Sequence, residues 1–252
     1  MDQGLRNVIV TAFSEMRIHN STRRLTLWSI DLPVAFFLAE YVKPHWKTLE
    51  TGCGLTTVLF SALGTCHYCL VPSLDEVDRL KAFCNAKGIV PANVQFFIER
   101  SEYGLPNLNV YDFDAAVIDG RHAFPSPFVD FYYIADRLKV GGTLIVDDTC
   151  LWTGRVLSEF LQTEREWRLT KRFRNTVVFE KLHEGTHDKE WNEQPFVTSR
   201  SWRTVGLFRC RQMSDTLVSL LRARDFKTLR QKVTDRILKA GIGCLSGRRS
   251  RY

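Results

Sequence analysis

The sequence predicts an α/β fold, a doubly wound and mostly parallel seven-stranded sheet, and three observations support this. Between residues 47 and 182, short apolar strands alternate with segments of helical periodicity. The first strand runs into a pair of closely spaced glycines, Gly52 and Gly54, before a helix begins. The last two strands follow each other directly, as an antiparallel pair would. Strands that alternate with helices form βαβ units, which give a parallel sheet with helices on both faces.

Capping and stop signals bound each predicted element. Asp31 and Pro33 mark a helix start, while Ser73 and Glu76 have the spacing of a capping box. Glycines predict the ends of two helices and the turn at 141–142, and the wholly apolar strand 115–118 is expected to be buried on both faces. The predicted strands are 48–50, 67–71, 94–98, 115–118, 143–146, 167–173 and 176–180, and the predicted helices are 31–42, 56–63, 73–87, 128–138 and 156–163.

Composition is typical of a soluble globular protein. The 252 residues are 44% apolar and 25% charged, which excludes collagenous, coiled-coil and wholly disordered chains. The longest apolar run, 33–39, is far shorter than the roughly 20 residues of a membrane helix. The first residues resemble no secretory signal. We therefore expect a soluble, cytoplasmic protein.

The net charge of +7 is concentrated at the C-terminal end. Residues 200–252 hold 14 Lys and Arg against 3 acidic residues, a net charge of +11, whereas the preceding 199 residues carry −4. Within this stretch, 215–240 has the pattern of a basic amphipathic helix. Such a helix indicates an anionic partner, namely a nucleic acid, a membrane surface or an acidic protein. A solvated helix on the domain surface is an equally good interpretation.

These patterns predict three parts of the chain. Residues 1–46 form an N-terminal helical segment, 47–182 form the α/β domain, and 183–252 form a polar linker followed by the basic helical extension. The oligomeric state is not determined by the sequence.

The seven cysteines are irregularly spaced and are expected to be reduced and mostly buried. Cys66 and Cys69 have the spacing of half a zinc site, but no second pair follows. Because the segment reads as a strand, alternate side chains point to opposite faces, so zinc binding is disfavoured.

Chemistry-bearing residues gather where strands end, which is where open α/β sheets bind ligands. The run from Leu49 to Thr57 lets a ligand approach the backbone at its glycines and offers the unpaired N–H groups of the next helix. It lacks the lysine of a phosphate-binding loop and the third glycine of a dinucleotide fingerprint. Glu50 strengthens the binding hypothesis, since its carboxylate could accept hydrogen bonds from a ribose or an amine. A glycine turn with Glu50 as a local cap is the alternative.

The order of the motifs resembles a class I S-adenosylmethionine-dependent methyltransferase. Glu50-Thr51-Gly52-Cys53-Gly54 is followed by Ile118-Asp119-Gly120-Arg121-His122 and by Val146-Asp147-Asp148. Within that class, the IDGxH and VDD motifs are similar to those of metal-dependent small-molecule O-methyltransferases, relatives of the catechol and macrocin types. The resemblance covers about 48–181.

The resemblance implies S-adenosylmethionine as cofactor, with Glu50, Gly52 and Gly54 at its methionine end and ribose edge. Ser101 and Glu102 fall where the family contacts the adenine. An acidic ribose ligand is absent after the second strand, where Val71-Pro72-Ser73 stands, and Ser73 or Asp75 could replace it. The full set of predicted cofactor residues is Glu50, Gly52, Cys53, Gly54, Thr56, Thr57, Ser73, Ser101, Glu102 and Asp119.

Asp119, Asp147 and Asp148 end two strands that the topology places side by side. Clustered carboxylates repel one another unless a cation joins them, and oxygen ligands suit Mg²⁺, Ca²⁺ or Mn²⁺. The family's metal-dependent members hold a divalent ion at these positions, which implies the same here. In the alternative interpretation, Asp147 or Asp148 caps the next helix and Asp119 binds only cofactor.

His122 and Asp119 are the candidate catalytic residues. Because a histidine side chain can take up or release a proton near neutral pH, His122 could act as a base. Stacking on the adenine and a local loop hydrogen bond are the alternatives. Members of the class that methylate nitrogen carry an Asn/Asp-Pro-Pro-aromatic motif, whereas this chain reads Asp119-Gly120-Arg121-His122. The sequence therefore favours O-methylation of a small-molecule or sugar hydroxyl. A nucleic-acid methyltransferase and a non-catalytic binding module are the rival hypotheses.

Overall fold

The structure, a computed structural model, describes residues 1, 3–16, 30–89, 91, 93–185, 187–228, 230–232 and 234. The chain divides into two compact units, 1–196 and 197–252. The part boundaries expected at residues 46 and 182 stay predictions.

The first unit is built on one seven-stranded sheet with the order β3-β2-β1-β4-β5-β7-β6. The strands are β1 Lys47–Thr51, β2 Cys66–Val71, β3 Val94–Ile98, β4 Phe113–Ile118, β5 Leu138–Val146, β6 Trp167–Arg172 and β7 Val177–Lys181. The first five run parallel, and β7 is antiparallel to both β5 and β6. The predicted fold class is confirmed.

Helices cover both faces of this sheet and enclose two apolar cores. They are α1 Gln3–Glu15, α2 Leu32–Tyr41, α3 Leu55–Ala62, α4 Leu74–Ala86, α5 Ser101–Asn107, α6 Ser126–Ala135 and α7 Trp152–Thr163. One core includes residues of α1 to α4, and the other includes residues of α5, α6 and α7. Because β1, β2, β4 and β5 run parallel to one another, their carboxyl ends share one edge of the sheet.

The structure differs from the predicted elements in three places. The short helix α5 was not predicted. Strand β5 begins at Leu138 and continues through the glycines at which a turn was expected, with Gly141 at a φ of +81°. Ser73 precedes α4 but its side chain makes no capping hydrogen bond.

The two cysteines of the CxxC segment lie on β2, where Cys66 is exposed and Cys69 is buried. This is the alternation expected of a strand. Among the other described cysteines, Cys53 and Cys84 are buried, while Cys150 and Cys210 are exposed. Cys244 lies outside the described residues.

The second unit contains most of helix α8, Pro195–Arg222. The prediction of a single helix over 215–240 is wrong, because α8 begins 20 residues earlier and ends at Arg222. The chain then turns through Arg224, whose φ is +53°, and Asp225 Oδ1 accepts a hydrogen bond from the amide of Thr228 at 3.0 Å. Residues 235–240 lie outside the described part. None of the helices in the described ranges combines the length and the hydropathy of a membrane span.

Candidate functional site

A cleft of about 690 Å³ opens at the carboxyl edge of the sheet, within the size range of small-molecule and cofactor sites. One side follows β2 and the loops leading into α4 and α5; the other follows β4 and β5. Residues from both sides and from the β1 loop border it, namely Gly52, Cys53, Leu70, Pro72, Glu76, Arg100, Ser101, Glu102, Asp119, Gly120, Arg121, His122, Asp147, Asp148, Cys150 and Leu151.

Gly52 lets the β1 and β4 loops approach each other at the floor of the cleft. Its φ is +93°, and a Cβ atom at this position would lie 2.4 Å from the carbonyl oxygen of Asp119. Any other residue would therefore be strained and would push the Asp119 loop away.

Three acidic side chains crowd the β4–β5 side. Burial and the charges of Asp147, Glu50 and Asp148 raise the pKa of Asp119 well above its ordinary value. Burial, opposed by a hydrogen bond from Thr176, raises the pKa of Asp147 to about 6. A positive charge at this end of the cleft would relieve the repulsion among these groups.

His122 pairs with the third acid, with its Nε2 atom 2.9 Å from Asp148 Oδ2. Burial raises the pKa of Asp148, but the hydrogen bond and charge of His122 outweigh it, so the pKa lies below its ordinary value. One ligand atom each of Asp119, His122 and Asp148 lies within 4.8 Å of the others. These residues fit a divalent ion, because two carboxylates and an imidazole converge where negative charge is already crowded. Asp147 lies beside this group.

A hairpin distant in sequence holds both aspartates of the VDD motif. Thr176 donates a hydrogen bond to Asp147 Oδ1, and Asn175 Nδ2 donates one to Asp148 Oδ1 at 2.7 Å. The loop is fixed further by the Asn175 carbonyl, which accepts from the amide of Thr149 at 2.9 Å. Asp148 itself has a φ of +51°. The sequence analysis missed Asn175 and Thr176, because no local pattern connects them with β5.

Glu50 does not border the cleft. It is fully buried, where its carboxylate accepts hydrogen bonds from Thr56 and from Thr57, the latter at 2.7 Å. His67 Nε2 lies 3.1 Å from Glu50 Oε2, and His67 Nδ1 lies 2.9 Å from the hydroxyl of Thr48. We call Glu50, Thr56, Thr57, His67 and Thr48 the buried β1–α3 network. A cofactor role for Glu50, Thr56 and Thr57 stays a prediction.

The other predicted cofactor residues divide into two sets. Gly52, Cys53, Ser101, Glu102 and Asp119 border the cleft, whereas Gly54 and Ser73 do not. Asp75 is exposed and also lies away from the cleft. Glu76, in the first turn of α4, borders the cleft on the β2 side. It therefore supplies an acidic side chain there, although none directly follows β2 in the sequence.

Residues 49–149 match the family model described as a methyltransferase domain. No curated protein matches the chain. A candidate O-methyltransferase from Klebsiella pneumoniae has a similar structure at 14% identity, with a TM-score of 0.54 and coverage of 73% of this chain and 91% of its own.

Two further solved structures are similar at 14% identity. The O-methyltransferase TomG from Streptomyces achromogenes, which is involved in tomaymycin synthesis and was crystallised with S-adenosylmethionine, has a TM-score of 0.53 with 73% of this chain and 91% of its own covered. A candidate rRNA-methylase from Clostridium thermocellum has a TM-score of 0.50 with 62% and 99% covered. At this identity they show the fold. The fold and the family match together support a class I S-adenosylmethionine-dependent methyltransferase.

Proposed function

We propose that the protein methylates a hydroxyl of a small molecule or sugar, with S-adenosylmethionine as methyl donor and assistance from a divalent ion. The observation that carries the proposal is the His122–Asp148 pair at 2.9 Å, beside Asp119 at one end of the cleft. A positioned base and a group of metal ligands are what transfer to a hydroxyl requires, because the hydroxyl must lose its proton.

The reactive end of the cleft sets the orientation of the cofactor. Since the base and the metal ligands lie on the β4–β5 side, the sulfonium group belongs there and the nucleoside lies on the β2 side. Gly52, at the β1 loop between them, keeps the Asp119 loop close to the floor of the cleft.

His122 accepts the proton of the acceptor hydroxyl as its oxygen bonds to the methyl carbon. The carbon–sulfur bond breaks, and the sulfur keeps the electron pair as S-adenosylhomocysteine leaves. Asp148 orients the imidazole of His122 and stabilises its protonated form through their hydrogen bond. The carboxylates of Asp119 and Asp148, with Asp147 beside them, are the groups that would hold a divalent ion while His122 serves as the base. When bound, such an ion lowers the pKa of the acceptor hydroxyl and fixes its position.

The acceptor class is tested with the purified full chain and radiolabelled S-adenosylmethionine. We expect label in a panel of phenols, sugars and polyketide hydroxyls and none in rRNA or tRNA. Labelled RNA would overturn the proposal in favour of nucleic-acid methylation, for which the basic stretch 200–252 would supply phosphate contacts. If S-adenosylhomocysteine fails to bind in isothermal titration, the protein is a non-catalytic binding module.

Glu76 is expected to bind the ribose hydroxyls, because it is the acidic side chain that α4 places on the β2 side of the cleft. Glu76→Gln should weaken S-adenosylhomocysteine binding by about 10- to 150-fold, which corresponds to the ~1.5–3 kcal/mol of a charged hydrogen bond. The matched control is Asp75→Asn, which removes the neighbouring exposed charge. Equal dissociation constants for Glu76→Gln and Asp75→Asn would contradict the assignment.

We also propose that α8 attaches the protein to an anionic membrane surface. Residues 195–214 contain four arginines and no acidic residue. Trp202, Leu207 and Phe208 are about two-thirds exposed. Large apolar side chains together with arginines are typical of helices that lie in the membrane interface. Binding to the phosphates of a nucleic acid would need the arginines but would not need the exposed aromatic residues.

Changing Arg203, Arg209 and Arg211 together to Gln should abolish most flotation of the full chain with phosphatidylcholine–phosphatidylglycerol vesicles. Wild-type binding should weaken in 1 M salt, where the screening length is about 3 Å. A matched triple change on the first unit, of the exposed Arg155, Arg165 and Arg174, should leave flotation unchanged. Binding to RNA but not to vesicles would overturn the membrane proposal.

A further inference from the structure

Asp130, on α6, is a buried carboxylate without a well-formed hydrogen bond. Its residue is 1% exposed, and neither carboxylate oxygen has a hydrogen-bond partner in the part of the chain that the structure describes. The hydroxyl of Thr51, at the end of β1, is also buried and unpartnered there. Buried polar groups are nearly always paired, so this pair of residues needs a physical explanation.

The two side chains lie directly behind the wall of the cleft. A Cβ atom on Gly120 would come within 3.1 Å of Thr51 Oγ1 and 3.4 Å of Asp130 Oδ2, so the absence of a side chain at Gly120 leaves room for both. Gly120 and Ser101 border the cleft.

Ser101 connects this buried pair with the cleft. The pKa of Asp130 is raised to about 6, because the effect of burial outweighs the opposite effect of the nearby Ser101 and Thr51 hydroxyls. Thr51 and Asp130 meet behind Gly120, and Ser101 interacts with the same carboxylate, although neither hydroxyl meets hydrogen-bond geometry with it in this structure.

We propose that Asp130 is a positioning residue that orients the Ser101 hydroxyl for recognition of the nucleoside base. A serine hydroxyl has one donor hydrogen and two acceptor lone pairs. If the hydrogen is directed to Asp130, the oxygen presents only acceptor lone pairs to the cleft. It then accepts a hydrogen bond from an exocyclic amine, as in adenine, and repels a carbonyl oxygen, as in hypoxanthine.

This inference rests on the proposed function, because it requires the nucleoside of the methyl donor on the β2 side. The test is isothermal titration of the full chain with S-adenosylhomocysteine and with S-inosylhomocysteine, in which a carbonyl replaces that amine and N1 carries a hydrogen. We expect the wild-type protein to prefer the adenine ligand about tenfold, the loss that accompanies one unmade hydrogen bond.

Ser101→Ala should remove the preference. Asp130→Ala should also remove it in the wild-type background, and it should cause no further change in the preference of a protein that already carries Ser101→Ala. Asp130→Asn, of nearly the same shape, serves if the alanine variant does not fold. The control is Ser158→Ala, which changes another buried hydroxyl, one that contacts Gln162 on α7; it should keep the preference.

The outcomes separate the two proposals. If the Asp130 variants weaken both ligands equally and the preference persists, Asp130 has a purely structural role and the inference is overturned. If the wild-type protein binds neither ligand, the proposed function fails instead.

Discussion

Asp148→Asn is expected to lower the rate of methyl transfer by about 10²- to 10⁴-fold, the usual contribution of a general base. Asparagine lacks the negative charge that stabilises protonated His122, whose Nε2 atom lies 2.9 Å from Asp148 Oδ2. It also removes one of the carboxylates that would hold a divalent ion. The measurement is steady-state kinetics with an acceptor from the panel, together with titration of Mn²⁺ and of S-adenosylhomocysteine. Cofactor affinity should change little, since the nucleoside side of the cleft is untouched.

The matched control is Asp136→Asn, which removes an exposed carboxylate that lies 3.7 Å from His187; its activity should equal that of the wild type. If Asp148→Asn retains full activity, the assignment of the His122–Asp148 pair is wrong. If the wild-type protein retains full activity after exhaustive chelation with EDTA, the metal hypothesis is wrong and His122 acts without it.

Glu50→Ala is expected to lower the free energy of unfolding by about 3–5 kcal/mol, because three buried side chains would lose their shared hydrogen-bond acceptor at a cost of ~1–3 kcal/mol each. The change would leave Thr56, Thr57 and His67 in the buried β1–α3 network without their common partner. Urea denaturation followed by circular dichroism measures the loss. Glu50→Gln should lose less, because an amide oxygen still accepts from the threonine hydroxyls.

The sequence, which assigns Glu50 to the cofactor, predicts a different result for this variant, namely weaker cofactor binding without unfolding of the domain. Native stability of Glu50→Ala, combined with a 10- to 150-fold weaker affinity for S-adenosylhomocysteine, would restore that interpretation. Both measurements on one protein therefore decide whether Glu50 serves the fold or the ligand.

The fold and the position of the cleft could be predicted from the sequence. Strand and helix periodicities can be recognised within short stretches of sequence. The glycines after β1 and the acidic residues after β4 and β5 can be recognised in the same way. Parallel topology then brings these strand ends to one edge. Asp119, Asp147, Asp148 and His122 were identified on this basis, and all four border the cleft.

The direction in which each strand-end side chain points was decided only by the tertiary structure. Glu50 and Thr51 are neighbours on β1, yet successive strand residues face opposite sides of the sheet. Glu50 pairs with His67, brought to it by the parallel register of β1 and β2. Thr51 faces the other side, where Gly120 leaves room for it and for Asp130.

Local patterns likewise could not identify the residues that position the site. Asn175 binds Asp148 across 27 residues of chain, and Glu76 reaches the cleft where Ser73 and Asp75 do not. Sequence periodicity records which face of an element is apolar. It contains no information about which polar group on a distant element meets a given side chain, because that depends on how the helices and the hairpin pack against the sheet.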